Sequence, residues 1–163
     1  MITVSPFTGG KVTLHKEVDT VKYRGEEYTY IRYFYECDDT HTHFTDNEID
    51  WMSVSQVYNQ YRAKHGIPST EEIQATREKY GLSKRRMSKI LDIAPTRYQD
   101  YELGNVPSEA DGIKLKSIAD PNVFKNYLAA SRSKFSADEY AKILAIVNKH
   151  SGMIIDKPTS SNI

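Results

Sequence analysis

Along the first 45 residues the chain reads as strand, and beyond them as helix. Val12, Thr13, Val18, Thr20, Val21 and Tyr23 form one β-favouring run, and Tyr28, Thr29, Tyr30, Ile31, Tyr33, Phe34 and Tyr35 a second. Branched and aromatic side chains suit a pleated surface, and Arg24-Gly25-Glu26 between the runs predicts a hairpin turn. Rings fall on both faces of the second run, so it is expected to be a central strand contacted on each side. From Thr45 the period lengthens. Thr45-Asp46-Asn47-Glu48 has the spacing of a capping box, and Ile49, Trp51, Met52, Val54, Tyr58 and Tyr61 follow as an apolar stripe. That helix is expected to reach about Lys64 and to stop at His65-Gly66-Ile67-Pro68. Ser69-x-x-Glu72 and Ser136-x-x-Glu139 predict helices near Thr70–Tyr80 and Ala137–Lys149. The fold class is α+β, a small N-terminal β-hairpin domain followed by an all-α domain. Residues 1–45 are expected to be β-rich, 46–68 a connecting helix and linker, 69–150 the helical domain, and 151–163 a flexible tail.

Composition narrows the picture. The 163 residues hold 22 Lys/Arg and 22 Asp/Glu, so the formal net charge is zero and the large positive excess of a strong non-specific nucleic-acid binder is missing. The zero is a cancellation. Residues 1–66 carry a net −3, residues 67–121 balance, and residues 122–163 carry a net +3. A single cysteine, Cys37, excludes an internal disulfide framework and a four-cysteine metal site. A reducing, cytoplasmic location is the expectation. No apolar run approaches the roughly 20 residues of a membrane span, and MITVSPFTGGKV lacks the pattern of a signal peptide, so no membrane partner is expected. His15, His41, His43, His65 and His150 are scattered, with no nucleophile motif and no phosphate-cradling glycine loop among them. No catalytic residue, no enzyme activity and no cofactor are expected.

The middle of the chain holds the most specific pattern. Ser83 is placed to cap a short helix with Met87, Ile90 and Leu91 inward, Ile93 sits at a turn, and a second short helix starts at Pro95 with Tyr98 and Tyr101 inward. Glu102-x-Gly104 closes it and Pro107-Ser108 opens the next. With Ile73, Arg77, Gly81-Leu82-Ser83 and Leu115-x-x-Ile118-Ala119, these positions resemble the Xre/Cro-type helix-turn-helix family over about 50 residues. The resemblance implies binding to double-stranded DNA. Lys84, Arg85, Arg86 and Lys89 place four cations on the first helix for phosphate contacts. Thr96, Arg97, Gln99 and Asp100 are the outward candidates of the recognition helix, with Arg97 suited to guanine and Gln99 to adenine. Asp100, Lys84 and Asp92 depart from the family pattern.

Near the N-terminus, Ser5-Pro6-Phe7-Thr8 and Cys37-Asp38-Asp39-Thr40 flank the hairpin. With cysteine at Ser5, Thr8 and Thr40 beside Cys37, they would form the two CxxC knuckles of a zinc ribbon. This layout resembles MqsA-like antitoxins, and the order Ser5–Gly9, Tyr30–Asp38, Val57–Pro68 and then helix-turn-helix resembles the N-terminal module of SocA/Panacea-type antitoxins, over roughly residues 3–120. Ser5, Thr8, Cys37 and Thr40 are therefore expected to be degenerate metal positions that hold two turns by hydrogen bonds, with no metal bound. A rearranged set of Cys37, His41 and His43 with His15 or Asp39 is the alternative.

The resemblance implies an antitoxin-like transcriptional regulator. Its helix-turn-helix would bind a palindromic operator as a homodimer, and its N-terminal domain would engage a toxin or other protein partner. The alternative is a protein-interaction module whose helix-turn-helix scaffold no longer binds DNA. Val123, Phe124, Tyr127 and Leu128, then Tyr140, Ile143, Leu144 and Val147, are expected either to cap the helical core or to bury against a twin subunit.

Overall fold

The computed structural model describes residues 1–155, and the rest of the expected tail, 156–163, lies outside the described residues. The fold is α+β: among the described residues, a three-stranded antiparallel sheet is followed by seven α-helices. Two compact units divide the chain, Met1–Tyr61 and Arg62–Ile163, so the expected connecting helix is divided between them.

In the first unit, β1 (Val12–Tyr23) and β2 (Glu26–Cys37) pair antiparallel from Val12↔Cys37 to Tyr23↔Glu26, and β3 (His43–Phe44) pairs with Tyr35 and Glu36 of β2. The turn is Arg24-Gly25, at φ 49° and 80°, the two left-handed residues that match the twist of a tight hairpin. β2 is central, as its rings on both faces require. Helix α1 (Asn47–His65) lies along β2. Its N-cap differs from the capping box expected at Thr45. Asp46 Oδ1 accepts from the Ile49 N–H at 2.9 Å, and Thr45 instead donates to Asp50. The apolar stripe differs too. Ile49, Val57 and Tyr61 are buried, whereas Trp51 is 49% exposed. The reason is that the inward face also carries Ser53, Gln56 and Gln60, which bond to strand backbone rather than to apolar partners.

The second unit holds α2 (Thr70–Lys79), α3 (Lys84–Leu91), α4 (Pro95–Leu103), α5 (Glu109–Ser117), α6 (Pro121–Ala130) and α7 (Ala137–Ile155). Helix starts follow the sequence closely. Ser69 and Glu72 make a full capping box, Ser83 and Ser108 accept from the third amide of their helices, and Pro95 and Pro121 take positions where no N–H partner is needed. Helix α7 runs past Lys149 to Ile155, so residues 151–155 belong to a helix and not to a tail. One core unites the unit: Ile73, Tyr80, Met87, Leu91, Tyr98, Leu115, Phe124, Leu128, Ile143 and Val147 are all buried in it. Helices α6 and α7 therefore cap the helix-turn-helix core. Phe124 stacks flat on Tyr80, 4.2 Å between ring centres, and the Tyr80 hydroxyl donates to the Ile118 carbonyl.

Candidate functional site

Helices α3 and α4, joined by Asp92-Ile93-Ala94, form the helix-turn-helix. Their inward positions are Met87, Ile90, Leu91, Tyr98 and Tyr101, each buried. Both helices are short, so burial of this one face fixes the opposite face in solvent. Arg85, Arg86 and Lys89 are exposed on α3, with Lys84 half-buried. Thr96, Arg97 and Gln99 are exposed on α4, with Asp100 half-buried. The eight candidate positions thus share one two-helix unit and none lies in the core. Arg97 has an acidic neighbour, since its Nε is 3.5 Å from Asp111 Oδ2, and the same carboxylate accepts a 2.6 Å hydrogen bond from the Tyr101 hydroxyl. Burial, with that carboxylate beside it, pushes the Tyr101 hydroxyl up to about 12.

Beneath this surface lies an ion pair. Arg77 of α2 donates two hydrogen bonds to Glu102 of α4, at 2.7 and 2.9 Å, and a third to the Leu82 carbonyl. The Glu102 side chain is 2% exposed. Burial works against its ionisation, yet the bonds from Arg77 prevail and hold its carboxyl below the ordinary range. The pair locks α4 to α2 and so sets the orientation of α4. Asp92 occupies the turn at φ 54°, in the left-handed region that favours glycine. Lys114 Nζ donates to the Leu91 carbonyl at 2.7 Å and Lys134 Nζ to the Lys89 carbonyl at 3.0 Å, so two cations sit on the negative end of the α3 dipole. Lys114 and Lys134 escape the sequence reading because their partners are backbone carbonyls of distant residues, and Asp111 because its partners, the Arg97 and Tyr101 side chains, stand on another helix.

In the first unit Ser5, Thr8, Cys37 and Thr40 come together. Ser5-Pro6-Phe7-Thr8-Gly9-Gly10 closes one knuckle through Ser5 N–H to the Gly10 carbonyl and Gly9 N–H to the Ser5 carbonyl. Cys37–Thr42 closes the other through His41 N–H to the Cys37 carbonyl and Cys37 N–H to the Thr42 carbonyl. Ser5 Oγ donates to Cys37 Sγ at 3.0 Å, Thr8 Oγ1 is 3.7 Å from the same sulfur, and Thr40 also bonds to it. The sulfur is fully buried. Hydrogen bonds from Ser5 and then Thr40 hold the Cys37 thiol down at about 6, against the opposing effect of burial. The knuckles also meet at Thr8 and Asp39, 2.6 Å apart, and a Cβ on Gly10 would stand 2.1 Å from that Asp39 carboxylate.

The alternative set of Cys37, His41, His43, His15 and Asp39 does not converge. Cys37 is taken by hydroxyls and Asp39 by Thr8, while the three imidazoles surround Glu36. His41 Nδ1 lies 3.1 Å and His43 Nε2 3.9 Å from Glu36 Oε1, and His15 Nε2 lies 2.8 Å from Oε2 but out of line for a hydrogen bond. Bonding from His41, with the nearby His15 ring, holds the Glu36 carboxyl below the ordinary range. Among the described residues no group of three or more His, Cys, Asp or Glu side chains is arranged to hold a metal ion. A cavity of about 430 Å³ opens between hairpin and α1, lined by Val21, Tyr23, Tyr30, Val54, Val57 and Tyr58 among others. The tyrosines of this region pack on one another, Tyr23 against Tyr58 and Tyr61, and Tyr28 against Tyr61.

No family model matches the chain, and no curated protein or solved structure matches it significantly. No helix among the described residues is long and apolar enough to cross a membrane.

Proposed function

We propose that this chain is a sequence-specific DNA-binding transcriptional regulator of antitoxin-like type, dimeric on a palindromic operator, whose N-terminal unit engages a protein partner. The observation that carries the reading is the division of α3 and α4 into a fully buried face and an exposed face bearing Arg85, Arg86, Lys89, Thr96, Arg97 and Gln99. The cations of α3 contact phosphates and give affinity that falls with salt. Arg97 and Gln99 read base edges in the major groove. Two copies set two recognition helices about one DNA turn apart. The likeness of residues 3–120 to MqsA-like and SocA/Panacea-type antitoxins supports the assignment of the partner-binding role to the hairpin unit.

Selection from a randomised duplex pool, followed by titration of the selected site and of an unrelated duplex, tests this reading. The expected site is an inverted repeat with half-sites about 10 base pairs apart. Arg97→Ala should cost about 1–3 kcal/mol of discrimination at one base position. Lys89→Ala should weaken binding to all duplexes and reduce the salt slope by about one. Failure to enrich any sequence would sink the reading. It would favour a protein-interaction module on a helix-turn-helix scaffold, a second reading that draws on Asp100 and on the Arg97–Asp111 contact.

A further inference from the structure

The hairpin sheet has one closed edge and one open edge. On the closed side, Tyr35 and Glu36 of β2 pair with β3, and Thr29, Ile31 and Tyr33 bond to Gln60, Gln56 and Ser53 of α1. Those bonds also settle which groups of β1 face outward. Ile31 and Tyr33 turn their backbone groups away from β1, so their partners Val18 and Lys16 stand in non-hydrogen-bonded pairs and turn theirs to the opposite edge. By alternation Leu14, Thr20 and Lys22 do the same. The Thr20 N–H is taken by the Asp19 carboxylate at 2.8 Å. The outward amides of Leu14, Lys16, Val18 and Lys22 have no strand, helix or side chain paired with them among the described residues.

Proteins usually blunt such an edge with a bulge, a proline, a short strand or charged side chains, lysine above all. β1 has no bulge and no proline and its twelve residues keep one register throughout, so Lys16 and Lys22 are its blunting devices. Its even-numbered face carries Lys16 and Lys22 and exposes apolar surface at Val18, 75%, and Leu14, 38%, beside Ile31 of β2. Its odd-numbered face carries Glu17 and Asp19, to which Arg32 of β2 is bonded. The whole unit, residues 1–61, holds ten Asp/Glu against five Lys/Arg. A second copy is disfavoured at the centre of this edge. Antiparallel self-pairing centred on residue 17, 18 or 19 sets Glu17 against Glu17, Glu17 against Asp19, or Asp19 against Asp19, and like charges directly opposed are destabilising.

We propose that the outer edge of β1 is a docking site for one extended strand of a different protein. That strand adds to the sheet by backbone hydrogen bonds, with apolar side chains on the Leu14–Val18 face and basic side chains on the Glu17–Asp19 face. The inference rests on the reading of the N-terminal unit as the partner-binding half, and it names the kind of segment that half takes.

The test titrates the ¹⁵N-labelled full chain with a capped eight-residue peptide of alternating valine and lysine, and separately with its valine–glutamate counterpart. The expected result is saturable shifts of the Leu14, Lys16, Val18 and Lys22 amides with the lysine peptide, and at least tenfold weaker binding of the glutamate peptide. Val18→Pro removes one outward amide without removing a ladder bond and should weaken binding at least tenfold. If that variant melts lower, Glu17→Lys/Asp19→Lys serves instead and should reverse the preference between the two peptides. Equal affinity for both peptides, saturable binding that leaves the β1 amides unmoved, no binding of either, or concentration-dependent self-pairing through these amides would each overturn the proposal. Duplex binding by the same sample is scored separately, so failure of the helix-turn-helix reading and failure of this one are told apart.

Discussion

The helical unit and the hairpin unit solve the same problem by different means. Residues 62–155 close around a single apolar core in which one bidentate ion pair, Arg77–Glu102, is enclosed. Residues 1–61 are too few, with two strands of twelve and one of two, to enclose a comparable core. They replace missing layers with polar substitutes. Ser5, Thr8 and Thr40 gather on a buried sulfur, and Ser53, Gln56 and Gln60 take the place of a neighbouring strand. The lesson is that polar groups in the helical unit fix orientation, whereas in the hairpin unit they supply closure.

The sharpest way to break this comparison is to remove one member of the enclosed pair. Arg77→Leu leaves Glu102 buried without a counter-charge, and we expect a loss of about 3–5 kcal/mol in denaturant unfolding. Arg77→Met/Glu102→Leu should recover most of it, which no purely local packing loss would allow. The same pair gives a pH signature. Because the folded-state Glu102 carboxyl titrates below its unfolded value, its stabilisation is present above the ordinary carboxylate range and is lost as pH falls through the folded value. Acid melts of wild type against the double variant would show it.

In the hairpin unit the corresponding loss is smaller. Gln56→Ala returns the Ile31 N–H and carbonyl to solvent, and about 1 kcal/mol is expected in thermal or denaturant melts, with faster exchange of the Ile31 amide. Cys37 supplies a second handle. Its folded-state value near 6 lies below that of a free thiol, so stabilisation from the thiolate grows as pH rises from about 6 to about 9 and is lost on the way back down. Thiolate absorbance should show a midpoint near 6, and Ser5→Ala should move it upward. The smallest effect belongs to the turn. Asp92→Gly relieves a left-handed backbone but surrenders the 3.4 Å contact to Lys134, and a net gain of up to about 1 kcal/mol is expected.

What the chain declares about itself is mostly local. The Arg24-Gly25 turn, the serine caps at 69, 83 and 108, and the prolines at 95 and 121 act within a few residues, so both hairpin and helix-turn-helix could be traced from residue order. The gathering of Ser5, Thr8, Cys37 and Thr40 follows from the resemblance to zinc-ribbon knuckles, since each knuckle is itself a short turn. Local pattern does not reach a side chain that answers a distant backbone group. Trp51 looked inward because hydropathy ranks it above Ser53, yet the strand edge required hydroxyl and amide partners on that face. The polar spacing 53, 56, 60 was itself a helical stripe, and it was the available signal. Asp46 displaced Thr45 as cap by a one-residue shift that spacing alone does not resolve. Lys114 and Lys134 act on a helix 20 or more residues away along the chain, where no local pattern reaches.

Gln56 carries one more consequence. Its amide bonds Ile31 as another strand would, donating to the carbonyl at 2.8 Å and accepting from the N–H at 3.0 Å. Only a group with donor and acceptor side by side can do this. Hydrolysis of that one amide to a carboxylate would set oxygen against oxygen at the Ile31 carbonyl. Chemical ageing at a single helix side chain would thereby open this edge of the sheet at one residue, the Ile31 carbonyl.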